Sequence, residues 1–267
     1  MSSKNDVAIL VSSCDKFSDA WHPFFSLFFK YWPENKYPVY LLGNRQTYPD
    51  TRVHTIHVDA DLPWSTCLRL ALEEIPQPYI VLFFEDFLIE EPVDIKTLEK
   101  YITYLQDKNA GYLGLQPYPE PSIILSDSSE VGEIAKGSEY RVSLLVAIWE
   151  KQTLLNLIVD DETPWELELS GSKRSNDLDV SFLRVWKNAE DHYPITHAPR
   201  TAIIRGRWSR DAVQLCKKEG INIDLSVRPM IPLSEHWRRS RPGLMKYKLY
   251  RGVIAGMMRL EQLFNKL

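Results

Sequence analysis

The chain has 267 residues, 44% hydrophobic, 25% charged and 12% aromatic, a composition that excludes wholesale disorder. Only 11 of them are glycine, which excludes collagen-like and glycine-linker architectures, and a chain this long needs neither disulfides nor a structural metal to fold. The net charge of −4 is unevenly spread, with +7 in residues 236–267 and −11 in the rest, as expected of a basic tail on an acidic body.

Cys14, Cys67 and Cys216 are odd in number and lack CxxC spacing, which argues for a reducing compartment and against a thiolate zinc site. The apolar run near the N-terminus is too short for a signal peptide, and Glu85 and Asp86 interrupt the longest apolar run. A cytoplasmic protein is expected.

In chain order, Val7–Ser12 reads as a buried strand and Asp19–Trp32 as an aromatic-rich helix stopped by Pro33. Pro38–Leu42 and Val53–Val58 read as strands. Pro63–Ile75 reads as an amphipathic helix, Tyr79–Phe84 as a fully buried strand and Asp94–Gln106 as a helix. This alternation predicts an α/β fold, with a mostly parallel twisted sheet covered by helices on both faces. Beyond Leu113 the pattern predicts short strands at Tyr112–Gln116, Ser122–Leu125 and Tyr140–Ala147, then a helix over Trp149–Ile158. Ser170–Ser175 reads as a polar loop, Asp177–Lys187 as a helix, Ala202–Arg205 as a strand and Asp211–Glu219 as a helix ended by Gly220. No internal repeat is present. The organisation expected is one domain with two unequal halves, 1–113 and a smaller irregular 114–233, followed by a basic amphipathic helical tail over 234–267.

The strongest local signal for chemistry is Glu85-Asp86, which follows the buried strand directly. Ligands of open α/β sheets bind at the carboxyl ends of strands. Two carboxylates there are costly unless solvated, paired or bound to a cation, and Mg²⁺ or Mn²⁺ takes carboxylate and phosphate oxygens together. The bland alternative is a strand end with two solvated acids. Other templates are missing: there is no G-x-S-x-G, no GxxxxGK[ST], no GxGxxG and no HExxH. The acidic body argues against a nucleic-acid partner.

Three segments carry a resemblance: Ser12-Ser13-Cys14-Asp15 after the first strand, Trp64–Arg69 opening the second helix, and Glu85-Asp86 after the buried strand. Through them residues 7–89 resemble the nucleotide-binding half of GT-A-fold glycosyltransferases. The resemblance implies a nucleotide-sugar donor and a divalent metal, Mn²⁺ or Mg²⁺, as cofactor. Ser12, Ser13, Asp15, Arg69 and Glu85 would contact the donor, and Asp86, Glu85 and a late histidine, His197, would hold the metal. The sequence departs from the common Asp-x-Asp motif, because Phe87 and Leu88 follow Asp86.

In the second half, Asp161–Glu168 supplies acids beside Trp165, an aromatic plate suited to stacking on an acceptor sugar. Inverting transfer needs a base within about 2.6–3.2 Å of the acceptor hydroxyl. The resemblance favours Glu168 through the Trp-x-x-Glu spacing, with Glu166 second. A solvated acidic loop with a core-packed Trp165 is the alternative. Lys173 and Arg174, and Arg205 and Arg207 around Gly206, are candidates to meet the leaving diphosphate; the last two are expected to share a strand face. An exposed, salt-bridged pair of arginines is the alternative there.

The function expected is transfer of a sugar from a nucleotide donor to a hydroxyl of a glycan or lipid-linked acceptor, with inversion, and the resemblance implies bacterial surface-polysaccharide synthesis as its setting. A sugar nucleotidyltransferase and a non-catalytic binding scaffold are the alternatives. The tail from Trp237 to Leu267 interleaves apolar and basic residues, a pattern suited to the anionic inner face of a membrane or to packing on a protein.

Overall fold

The computed structural model describes residues 6–186, 193–197 and 201–232. The chain begins with β1 (Val7–Ser12), α1 (Ser18–Tyr31), β2 (Val39–Gly43), β3 (Val53–His57) and α2 (Trp64–Glu74). It continues through β4 (Tyr79–Phe84), α3 (Ile95–Asp107), β5 (Tyr112–Gly114), β6 (Ile123–Leu125) and β7 (Ser128–Glu133). β8 (Ala147–Glu150) leads into α4 (Lys151–Leu157), and α5 (Pro164–Glu166) and α6 (Ser172–Arg174) flank a π-helical turn, Leu167–Gly171. β9 (Phe182–Val185), the hairpin β10 (Ile203–Ile204) and β11 (Arg207–Trp208), and α7 (Arg210–Lys218) follow.

The main sheet has nine strands in the order β3-β2-β1-β4-β8-β5-β9-β7-β6. β1 to β4 are mutually parallel where they pair, β8 is antiparallel to β4 and β5, and β9 is parallel to β5. The α/β class expected from the alternation is the class observed. Alternation along β1 shows how the sheet is covered. Val7, Ile9 and Val11 enter one core with α1 and α3, while Ala8 and Leu10 enter the other with α2 and α4. The first core is aromatic: Phe24, Phe25 and Phe28 of α1 pack around Phe83 and Trp32.

The second half corrects several expectations. Asp177–Lys187 contains a strand, β9, rather than a helix, because Phe182 to Val185 are all buried between β5 and β7. Trp149, expected to open a helix, lies in β8 opposite Ile80 and Tyr112, and the strand expected over Tyr140–Ala147 starts only at Ala147. Ser170–Ser175 is helical rather than a loop. Its Ser172 and Ser175 hydroxyls donate to the carbonyls of Glu168 and Ser172, and Ser175 accepts from the buried Arg141 guanidinium. β7 is polar and gave no strand signal. The basic tail lies outside the described residues. Among the described residues no helix is long and apolar enough to cross a membrane.

Candidate active site at the carboxyl ends of β1 and β4

From β1 the chain winds to β2 and β3 on one side, then returns to place β4 on the other side of β1. The sheet therefore has a topological switch point between β1 and β4, and open α/β sheets bind ligands in the crevice outside such a point. Register from Val7↔Tyr79 to Ser12↔Phe84 brings the two strand ends level. Ser13 and Cys14 then leave β1 level with Glu85 and Asp86, while Ser12, expected to contact a donor, is the fully buried last residue of the strand. A crevice at the carboxyl ends of strands, expected of an open α/β sheet, is present.

Each serine is fixed by an indole. Trp64 Nε1 donates to Ser12 Oγ at 3.0 Å, and Trp21 Nε1 donates to Ser13 Oγ at 2.8 Å. Trp64 also stacks on Phe84. Asp15 stands beside the mouth rather than open to it. Its carboxylate accepts from the backbone N–H groups of Asn44, Arg45 and Gln46 at 2.8, 2.9 and 3.0 Å, pinning the loop after β2. Burial raises its pKa, but those three bonds outweigh it and hold the carboxyl below its ordinary range.

Glu85 is 6% exposed and Asp86 is half-buried. Burial, reinforced by the charge of Asp86, pushes Glu85 up to about 8, against the opposing effect of the Ser13 hydroxyl and Arg228. Burial also pushes Asp86 up to about 6, opposed by bonds from the Ile203 N–H and the Thr201 hydroxyl. The Asp86 carbonyl accepts from Ala202 N–H at 2.7 Å, so this residue anchors the base of the β10–β11 hairpin.

That hairpin replaces the expected strand face. Arg205 (φ +52°) and Gly206 (φ +71°) are its two turn residues, so Arg205 and Arg207 straddle a turn instead of alternating along one strand. Both arginines are exposed, and neither side chain makes a hydrogen bond or ion pair among the described residues. Arg228, which sequence reasoning missed, ties the turn down. Its guanidinium donates to Gly206 O at 3.2 Å, to Lys16 O at 2.9 Å and to both carboxylate oxygens of Asp19 at 2.8 and 2.9 Å. A lone arginine between Val227 and Pro229 carries no motif that could have found it.

β8 runs antiparallel to β4, so the residues that precede it lie at the same end of the sheet as the crevice. Glu168, in the π-helical turn, reaches this segment: its Oε1 accepts from Leu144 N–H at 2.8 Å and from the Ser143 hydroxyl at 3.3 Å. Its Oε2 has no hydrogen-bond partner among the described residues. π-Turns inside helices frequently mark functional positions. Glu166 is used locally, closing a capping box with Thr163, and its pKa is lowered by those bonds. Trp165 is 73% exposed, not core-packed.

Two donor candidates are engaged elsewhere. Arg69 donates to Ile158 O at 2.9 Å and pairs with Asp160 at 3.1 Å, while Arg174 binds Glu162 through two bonds and also donates to Leu157 O. His197 stacks on Phe87 at 4.9 Å and its backbone bridges to Ile89, which brings it beside the Glu85-Asp86 loop. Among the described residues no three His, Cys, Asp or Glu side chains form a group that could hold a metal ion. With Glu85 turned inward and Asp86 bonded to the hairpin base, the donor set does not fit a protein-held Mn²⁺ or Mg²⁺.

No family model and no curated relative matches this sequence. Among solved structures the chain is similar to S. aureus TarS 1-349, at 11% identity over 70% of this chain and 59% of that one, with a TM-score of 0.44. It is similar to TarS 1-349 in complex with UDP-GlcNAc at 10% identity over 80% of this chain and 65% of that one, with a TM-score of 0.46. A cytidylyltransferase from Leptospira borgpetersenii is similar at 12% identity over 86% of this chain and 99% of that one, with a TM-score of 0.45. The chain thus spans less than two thirds of the length of TarS 1-349.

The inward carboxylate makes stability pH-dependent. The folded state holds a proton on Glu85 up to about 8, whereas the unfolded chain releases it near 4.5. Folded protein therefore binds more protons in that window, and stability falls as pH rises through it; Asp86 adds the same sign below about 6. Glu85→Gln removes the Glu85 part. Urea unfolding from pH 5 to pH 8 is expected to show the variant gaining on wild type as pH rises, by a few kcal/mol at pH 8. A difference that is flat with pH contradicts the assignment.

Proposed function

We propose that the chain is a glycosyltransferase that moves a sugar from a nucleotide-activated donor to a hydroxyl of a glycan or lipid-linked acceptor, with inversion. The observation that carries this reading is the switch-point crevice. It combines carboxylates at the end of β4, unpartnered arginines on a hairpin anchored to Asp86, and Glu168 supplied from the second half at the same end of the sheet.

In this reading the nucleotide lies along Ser13, whose hydroxyl is held by Trp21, with the buried Ser12 fixed beneath it by Trp64. Glu168 is the general base. Its Oε1 is fixed by Leu144 and Ser143, which leaves Oε2 to accept the acceptor proton. The acceptor oxygen then forms its bond to the anomeric carbon as the bond from that carbon to the diphosphate oxygen breaks, and the electron pair leaves with the diphosphate. Trp165, three residues before Glu168 on the same helical stretch and exposed, offers a stacking face for the acceptor ring. The basic tail would bring the enzyme to lipid-linked acceptors, and polysaccharide synthesis is the setting such acceptors suggest.

Thermal-shift measurements with nucleoside diphosphates and triphosphates test the reading against a nucleotidyltransferase. Stabilisation by diphosphates supports it, preference for triphosphates favours the nucleotidyltransferase, and no shift with either leaves a scaffold. Glu168→Gln keeps the acceptor for Leu144 N–H and loses the proton site, so donor affinity should hold while turnover falls about 10²–10⁴-fold. An equal loss with Glu166→Gln alone would move the base to that residue. The full chain should sediment with anionic but not neutral vesicles at low salt and be released as salt rises, since screening shortens the attraction to about 8 Å at physiological ionic strength. Co-sedimentation independent of lipid charge and salt would remove the electrostatic role of the tail.

A further inference from the structure

We propose that the donor diphosphate binds here without a divalent cation, its charge met by the guanidinium groups of Arg205 and Arg207 on the β10–β11 hairpin. This rests on the transferase reading and specifies how the same crevice takes its ligand.

The first support is the carboxylates' own bonding. A hard cation such as Mg²⁺ or Mn²⁺ needs outward oxygen ligands with free lone pairs. Glu85 is 6% exposed and directed inward, beside Ser13. Asp86 is drawn to the hairpin base through the Ile203 N–H and the Thr201 hydroxyl, and its carbonyl holds Ala202. The acidic pair therefore fastens the hairpin instead of lining an open cage.

The second support is where the hairpin sits. Its base is bonded to the residue that follows β4, through Ala202 and Asp86. Its tip is strapped by Arg228 to Lys16 and Asp19, which follow β1. Strand ends on both sides of the switch point thus hold the hairpin across the crevice. Arg228 is itself 7% exposed and paired with Asp19, so it works as a strap, and the charge left for a ligand is that of Arg205 and Arg207. These two guanidiniums flank Gly206, above which no atom but Arg228 Nη1, at 3.9 Å, would meet a Cβ. Planar guanidiniums bind phosphate oxygens through paired N–H donors, which a hydrated point charge does less well.

The third support is backbone conformation. Arg205 is held at φ +52°, a region that glycine and asparagine occupy readily and other L-residues rarely. A long cationic side chain kept at a strained turn position, exposed and without a partner among the described residues, has no structural task in what they show; strain of this kind collects at ligand clamps.

Isothermal titration with UDP, GDP, CDP, ADP and dTDP, in EDTA and then in Mn²⁺ or Mg²⁺, decides the matter. At least one nucleoside diphosphate is expected to bind in EDTA with a Kd within about threefold of its value with metal. Arg205→Gly relieves the positive φ, so its melting temperature should equal or exceed that of wild type while its Kd weakens about 10- to 100-fold, the loss expected for a charged hydrogen bond. Arg207→Gln should weaken binding similarly, and added salt should weaken wild type more than either variant. Binding that appears only with a divalent cation overturns the inference and leaves the transferase reading standing. Wild-type affinity in both arginine variants also overturns it. Absence of binding by any of the five diphosphates, with or without metal, overturns the transferase reading and the inference with it.

Discussion

Parallel pairing of β1 with β4 sets the position of everything else in the site. Six residue pairs in unbroken register bring Ser12 level with Phe84, so the loops leaving both strands open at one height. Because the chain departs from β1 toward β2 and β3, no connection crosses above the β1–β4 seam. The crevice is thus a consequence of winding. Its walls are made firm by the two cores beneath it, and Trp21 and Trp64 extend that firmness to the serines at the mouth.

The crevice floor holds charge where charge is expensive. Glu85 lies inside the protein, and an ionised carboxylate there would lose hydration without a full partner. The fold answers by keeping the proton on it and by setting Arg228 near both acids. Arg228 and Asp19 are separated by 209 residues, yet form a largely enclosed two-bond ion pair with Arg228 buried and Asp19 half-buried. Removing one partner of such a pair is strongly destabilising, because the other is left uncompensated. The last described segment is thereby locked to the start of α1 and, through Gly206, to the turn of the hairpin.

A similar economy of polar groups runs through the second half. The Arg141 guanidinium lies over Phe182 and that of Arg184 beside Tyr112, both fully buried and bonded to carbonyl and hydroxyl oxygens rather than to carboxylates. Tyr112 and Phe182 stack on each other between them. This arrangement holds the short, polar-flanked β5 and β9 in the sheet, the first where a strand was expected and the second where a helix was.

The sequence by itself determined the first half: the strands at Val7–Ser12 and Tyr79–Phe84 matched to the residue, and α1, α2 and α3 within a residue or two at each end. Long apolar runs and regular periods, punctuated by Pro33, Pro63 and Pro76, report the buried faces of regular elements directly. It also marked Glu85-Asp86, since two acids after a buried strand are locally conspicuous. Tertiary structure alone decided the rest. Phe182–Val185 is a strand because β5 and β7 lie on either side, which no local period encodes. Arg69 and Arg174 are bound to Asp160 and Glu162, whereas Arg205 and Arg207 are exposed and their side chains unpaired among the described residues, and composition cannot distinguish the two pairs. Partner choice for a charged side chain is a matter of which distant segment arrives beside it. That is settled by how the sheet winds and by Arg228, a residue no spacing rule singles out.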